Sequence, residues 1–487
     1  MKLFRRAVAF VLLAGVSAVV VVVDRHSGKE SVGASTAIVE FAGFPQASDG
    51  TRISTSWFCP GAAAGDGISS ASIVVVNPSD ADITATLNFF SDSPSDAETI
   101  TVAARSRKEV DVLRGRTVGV VVPVVEIIGS IGSVEQELIY AAGDVTSQCV
   151  SQTSSTWFFA DGFTAEGSTQ RLVLTNPFPE TAVVNVSYTT TNGRRTPASL
   201  QGIILNARSS RSISLADAGA QNEARLAVEV VASTGQIIAS RIQHYLGAGR
   251  LGYSTTVGTP MALRDWWFTS GRTGAMVSEL LMVFNPSDSA AQVNVSFFGP
   301  GITNGLGVDQ TSQAAAPSTA IDIPAGGIVA INTDSIADLP KGDHAMVVSA
   351  VNNVPVVVEH VLSQRVGGSA FTAITNGIPG GLASQKWRIP SGLLNGARNA
   401  LAVVNTTGVD GTFTVSASGP GGEVELPLLV DVALGAASVI SIDVPADVKD
   451  GEVTITATVP VVVQRRTTRG HGLVGFGIVG ALPIRSR

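Results

Sequence analysis

The chain repeats itself four times, and this repetition limits its possible folds more than any other feature. A Trp-led strand recurs at Trp57, Trp157, Trp267 and Trp387, at spacings of 100, 110 and 120 residues. Eighteen to twenty residues after each Trp, an apolar stretch ends in Asn: Ile73 to Asn77, Leu172 to Asn176, Leu281 to Asn285 and Leu401 to Asn405. Pro78, Pro177 and Pro286 follow the first three, and Thr406 the last. Proline removes a ladder donor and biases the residue before it towards extended backbone, so Asn-Pro ends a strand and opens a turn. At offsets of 8, 10 and 12 from each Asn the copies carry Ala85/Leu87/Phe89, Val184/Val186/Tyr188, Val293/Val295/Phe297 and Phe413/Val415/Ala417. All are apolar, and their neighbours, such as Thr86, Asn185, Ser296 and Thr414, are polar. That is the period of a strand with one face in a core and one in water.

A second, weaker match closes each repeat. Pro355-Val356-Val357-Val358-Glu359-His360 parallels Pro460-Val461-Val462-Val463-Gln464-Arg465, with Gln236 to Arg241 and Ser133 to Gln136 in the same slot. Units of this size, with short strands and frequent turns, predict an all-β chain of four tandem immunoglobulin-like β-sandwich modules over 53–152, 153–262, 263–382 and 383–487. A β-propeller with two blades per repeat is the alternative. Almost no linker separates the modules, which predicts a semi-rigid rod. The composition agrees: 51 glycines and only 15% charged residues suit strands and tight turns. A net charge of −7 argues against nucleic acid as a partner, since that partner requires a basic footprint.

Lys2, Arg5 and Arg6 precede an unbroken apolar run from Ala7 to Val23. As a helix it would measure about 26 Å, just under the roughly 30 Å of bilayer hydrocarbon. The expectation is a signal-anchor helix within residues 1–24, N-terminus inside, followed by a juxtamembrane tether over 25–52. Cleavage at Val16-Ser17-Ala18, giving a secreted chain, is the alternative. Either way the modules lie outside the cytoplasm, where Cys59 and Cys149 can form a disulfide closing the first module.

Trp157-Phe158-Phe159-Ala160-Asp161-Gly162, with Leu172 to Pro177 after it, resembles the Trp-aromatic-Phe-Ala-acidic-Gly repeat of actinobacterial exported and cell-surface proteins. From about residue 50 to the end, the chain is similar to an uncharacterised actinobacterial family of membrane-anchored secreted proteins. Trp387-Arg388-Ile389-Pro390 departs from the pattern. The resemblance implies a location and an architecture and brings no catalytic residues.

Chemistry is sparse. The five histidines (His26, His244, His344, His360 and His471) are dispersed, and no Gly-x-Ser-x-Gly elbow is present. His360 beside Glu359 could form an acid–base pair, but Ser240-Arg241 and Gln464-Arg465 stand in the same slot, so a polar strand edge is expected. Asp80, Asp82, Asp92 and Asp96 read as solvated turn acids, too few for a calcium site. Two cysteines without a histidine cluster do not make a metal site. No catalytic residue, cofactor or metal is expected. Trp266, unmatched in the other copies, is the residue expected to be surplus to the core and available to a ligand. The expected role is a non-enzymatic structural or interaction protein of the cell envelope, presenting its β-sandwich rod to wall polysaccharide or to a protein partner such as a membrane protein. The alternative is a glycan-binding accessory subunit of a membrane-bound envelope enzyme.

Overall fold

Apolar residues on every second position form strands only if a second layer covers them, and each repeat supplies that layer itself. In module one, Ser54–Phe58, Val120–Ile128, Ile83–Phe90 and Asp96–Val102 lie side by side in that order. The facing sheet holds Ser106–Asp111, Ile68–Asn77, Ser133–Tyr140 and Gly143–Gln148. This computed structural model describes residues 43–484 apart from short interior stretches, the longest being 303–319, 445–451 and 470–474. The described elements are antiparallel strands and four 3₁₀ turns, with no α-helix. The apolar run Ala7 to Val23 and most of the proposed tether lie outside the described residues. Among those described, no helix is long and apolar enough to cross a membrane.

Modules two and three repeat this sandwich-like pairing of sheets. In module four, two strands that are separate elsewhere run on as one, Val453–Arg469, which joins both layers into a nine-stranded sheet. Each sheet takes strands from both halves of its repeat. Two independent propeller blades per repeat are therefore excluded.

The strand registers correct the alignment of the tryptophans. Trp57 pairs with Val125, which pairs on its other side with Leu87. Trp157 stands in the same relation to Val230 and Val186, and Trp387 to Ile455 and Val415. In module three the residue so placed is Trp266, opposite Val348 and Val295, not Trp267. Trp266 is fully buried, and its indole N–H donates to Val356 O at 2.8 Å, as Trp157 donates to Ile237 O and Trp387 to Val461 O. It cannot contact a ligand. The surplus ring is Trp267, on the opposite strand face, stacked on Phe298 at 5.3 Å and 7% exposed.

The repeated Asn does more than end a strand. Asn285 Nδ2 donates to Ser289 O, Ile323 O and Pro324 O, and its Oδ1 accepts from Ser287 N and Ser287 Oγ. Asn77, Asn176 and Asn405 bind the residue four further on, and their own cross-strand carbonyls, in the same way. One buried amide thus knits three chain segments, and module four keeps the arrangement with Thr406 in place of Pro. Asn285→Ala removes a donor from each of three carbonyls and both contacts to Ser287, and is expected to cost about 2–4 kcal/mol, read as a lower urea midpoint with an unchanged slope.

The Asn strands are apolar at successive positions, not alternate ones, because both of their faces are covered. Ile73, Val74, Val75 and Val76 are all buried. In module two, Leu172 and Leu174 face their own core, while Val173 and Ile242 pack against Ala63, Val120 and Val122 of module one. Phe158, Ala160 and Phe163 of module two likewise pack against Met282, Phe284 and Val357 of module three.

The stacking closes on itself. The last inner strands of the four modules, Gly143–Gln148, Arg250–Val257, Ser369–Asn376 and Gly475–Gly480, lie next to one another in cyclic order, the fourth against the first. Ser147 Oγ donates to Thr255 O, Asn376 Nδ2 to Val257 O, and Gln148 Nε2 to Gly480 O. The expected rod is therefore a closed ring around these axial strands, because apolar surface left at the two ends of a rod is buried when modules one and four meet. In module one the disulfide Cys59–Cys149 ties the Trp strand to the end of the axial strand. Modules three and four make the same tie by pairing, Ile378–Pro379 with Trp266 and Trp267, and Leu482–Ile484 with Lys386 to Arg388. Removing the disulfide by Cys59→Ala with Cys149→Ala is expected to cost at most about 4–5 kcal/mol on the chain-entropy estimate, seen as a lower melting temperature in non-reducing buffer.

Candidate functional site

The polar residues of the ring gather where one module meets the next. In each module two neighbouring residues of the same strand carry them: Glu135-Gln136, Ser240-Arg241, Glu359-His360 and Gln464-Arg465. The first residue of each pair reaches the segment three or four residues beyond the core Trp of the preceding module. Ser240 Oγ donates to Pro60 O at 2.6 Å. Glu359 Oε2 accepts from Asp161 N at 2.5 Å, and Gln464 Oε1 from Thr269 N and Ser270 N. Glu135 Oε2 accepts from Ser391 N and from the Ser391 hydroxyl. The four contacts run one to two, two to three, three to four and four to one.

Two of these interfaces carry buried ion pairs. Arg241 meets Glu359 through two parallel bonds of 3.0 Å, with both side chains fully buried. Asp161 beside them accepts from Tyr245 Oη at 2.8 Å and from Arg250 at 3.0 Å. Burial pushes the Glu359 carboxyl above its ordinary value against the pull of Arg241, and burial followed by the Asp161 charge pushes the Tyr245 phenol up. At the closing interface, Arg465 holds Glu135 Oε2 at 2.9 Å and also donates to Ser391 Oγ and Gly392 O. Charges this deep require partners, and each acid here has an arginine. The segment Trp157 to Gly162 now has a local account. Trp157 fills the core, Phe158 faces module three, Asp161 anchors the network, and a Cβ on Gly162 would sit 2.6 Å from Leu226 O.

His360 and Glu359 are not a strand edge. Both are fully buried and, as strand neighbours, they point to opposite faces. Glu359 serves module two, while His360 turns into module three, where Nε2 lies 2.7 Å from Glu279 Oε1. His344 Nε2 lies 2.9 Å from the other Glu279 oxygen. Thr333 Oγ1 and Arg272 N donate to the same carboxylate, and a Cβ on Gly271 would meet His344 at 2.6 Å. The carboxylate oxygens sit directly on the imidazole nitrogens, leaving no room for an ion between them. Among the described residues, no His, Cys, Asp and Glu group has the geometry to hold a metal.

Burial alone would raise the Glu279 carboxyl, but His344, then His360, hold it well below the usual carboxylate range. A carboxyl depressed on folding adds stability above its unfolded value, about pH 4.3, and loses that stability as the pH falls towards its folded value. Glu279→Gln is expected to lower stability at pH 7 and to flatten the loss below about pH 4. A denaturant series across that range checks this, and an unchanged acid limb contradicts it.

Around the axis, Thr255, Thr259, Asn376, Gln148 and Gly480 line a cavity of about 60 Å³, with Gly43, Phe44 and Pro45 at its wall. Thr255 Oγ1, Thr259 Oγ1 and Asn376 Oδ1 have no protein partner among the described residues. Such a space fits a few bridging waters and is far below the several hundred Å³ of a ligand pocket. A wider, open depression of about 420 Å³ lies on module two beside Asn176, lined by Phe178, Glu180, Thr181 and Gln236. Phe178 is 38% exposed there and stands where modules one, three and four carry Ser79, Ser287 and Thr407, each bonded to its Asn. Among the turn acids, Asp80 pairs with Arg105 and Asp96 with Arg116 at the surface.

A family model described as "Family of unknown function (DUF5719)" matches residues 132–249 and 260–484, well over half of the chain. No curated protein matches. Among solved structures, one titled "Crystal Structure of Thermotoga maritima 1070" is 16% identical over 24% of this chain and 94% of its own, with a TM-score of 0.20. A likeness that slight carries no argument.

Proposed function

The chain belongs to the DUF5719 family of unknown function, and we propose that it is a non-enzymatic interaction protein of the cell envelope, a closed ring of four immunoglobulin-like sandwiches displayed outside the membrane. One observation carries this reading. Among the described residues, the buried clusters of acids, arginines and histidines lie in module interfaces or cores, bonded to structural partners, and apart from any cavity of ligand size. Catalysis requires such groups beside a space where substrate can sit. Here they are committed to holding the ring, and the outer surface is left to make contacts. The apolar run Ala7 to Val23 supports display from a membrane.

The experiment is a pull-down with the full chain, comparing purified wall polysaccharide with detergent-solubilised membrane proteins. Capture of a membrane protein without polysaccharide retention supports a scaffold. Turnover of a wall substrate by the purified chain, abolished by one buried-cluster substitution that leaves the melt unchanged, sinks the non-enzymatic reading.

The glycan-binding accessory subunit has one observation in its favour: exposed Phe178 beside the depression on module two, where the other modules place Ser or Thr. Aromatic faces stack on sugar rings, and Glu180 and Gln236 offer hydrogen bonds. Polysaccharide retention that disappears in Phe178→Ser would select this second reading.

A further inference from the structure

The end of the ring axis is shared by all four modules, and a stretch that lies outside every repeat fills it. Residues 43–48 precede module one, and within these few residues the chain meets each module in turn. Gly43 lies against Pro260 of module two at φ 89°, so close that a Cβ would sit 3.1 Å from the proline ring. Phe44 is 4% exposed and tilts against the Trp266 indole of module three, with ring centroids 5.9 Å apart. Ala47 N donates to Pro483 O of module four at 3.1 Å. The Ala47 side chain belongs to the apolar cluster that joins Trp57 and Cys59 of module one to Leu482 of module four. Gly43, Phe44 and Pro45 also wall the axial cavity, where the axial strands converge at Gln148, Val257, Asn376 and Gly480.

Each residue type suits its place. A left-handed glycine lets the backbone pass Pro260 where any side chain would be both strained and crowded. The Phe44 ring then takes its own apolar surface, and some of Trp266, out of water. Pro45 fixes its φ in an extended range and so lowers the entropy lost when the stretch is ordered. No repeat can supply such a plug, since a segment present in every module would bring four rings to one axis.

We propose that the axial end of the ring is a binding site for an extended Gly-Phe-Pro segment, and that residues 43–48 occupy it in cis as a clasp holding the four modules closed. Ring closure then depends on residues outside the repeats. The inference goes beyond the interaction-protein reading and does not depend on what the outer surface binds. Cleavage at Val16-Ser17-Ala18 leaves the clasp in place, so anchored and released chains close alike.

The test uses the full chain and a variant carrying Phe44→Ser and Pro45→Gly, which vacates the site without shortening the chain. The probe is a synthetic peptide of residues 42–48, capped at both ends. The expected result is a lower melting temperature for the variant, restored saturably by the peptide. The parent is expected to bind the peptide at least tenfold more weakly, because its own tethered copy competes at high effective concentration. The same peptide carrying Phe44→Ala is expected to restore nothing. Should the double variant not fold, Phe44→Leu, a smaller change in shape, is read in the same way. A variant that melts with the parent overturns the proposal, as does peptide binding that is equal for both chains or indifferent to the phenyl ring. A lower melt that the peptide does not restore reduces Phe44 to ordinary core packing and overturns the site as well.

Discussion

Replacing Arg465 with alanine destabilises the protein by about 3–5 kcal/mol, the usual cost of stranding one member of a buried ion pair. Arg465 holds Glu135, 330 residues earlier in the chain, and the two side chains are almost completely buried. Without the guanidinium, Glu135 keeps Ser391 as its donor among the described residues, and its charge remains in a low-dielectric interface. Joint replacement by Arg465→Met and Glu135→Leu is expected to recover most of that loss, because removing both charges also removes both desolvation costs. Arg398→Ala is the control, since its pair with Asp443 is exposed and such pairs contribute at most about 1 kcal/mol. Urea titrations of the three variants and the parent measure these differences. A cost below about 1 kcal/mol for Arg465→Ala would mean that modules four and one do not meet in solution.

Trp266→Ala is expected to cost about 3–5 kcal/mol, as for other large-to-small changes in a packed core. The indole is fully buried, and with the ring Val356 O loses one of its two donors, keeping Leu263 N. The sharper comparison is with the next residue. Trp267 occupies the position held by Phe58 in module one and Phe158 in module two, so Trp267→Phe installs a ring the architecture already uses. Its cost is expected to stay below about 1.5 kcal/mol, as for a tolerated apolar swap. A larger loss from Trp267→Phe than from Trp266→Ala would reverse the assignment of the two tryptophans.

Much of the strand layout was legible because it rests on local chemistry. The Asn, the polar and apolar alternation after it, and the Trp each recur with a physical reason that a single strand can satisfy. The ring was not legible, since it depends on residues brought together from separate modules. Even so, signals were present. Four consecutive apolar residues at Ile73 to Val76 announce a strand covered on both faces, which an isolated sandwich would not require. Glu359 matching Ser240, and Glu135 matching Gln464, looked like exchangeable polar residues at an edge. They are instead the same contact solved four ways, each with a partner in the preceding module. The tryptophan pair in module three could not be ordered by spacing, because one residue of slip preserves the apolar character while reversing the face.

Small-angle scattering from the compact unit beginning at residue 43 tests ring closure most directly. A single compact body of that length has a radius of gyration of about 22 Å by the scaling for folded domains, and the closed ring predicts a value close to it. A radius well above that of a compact body, as four sandwiches joined end to end would give, would contradict the ring and restore the rod.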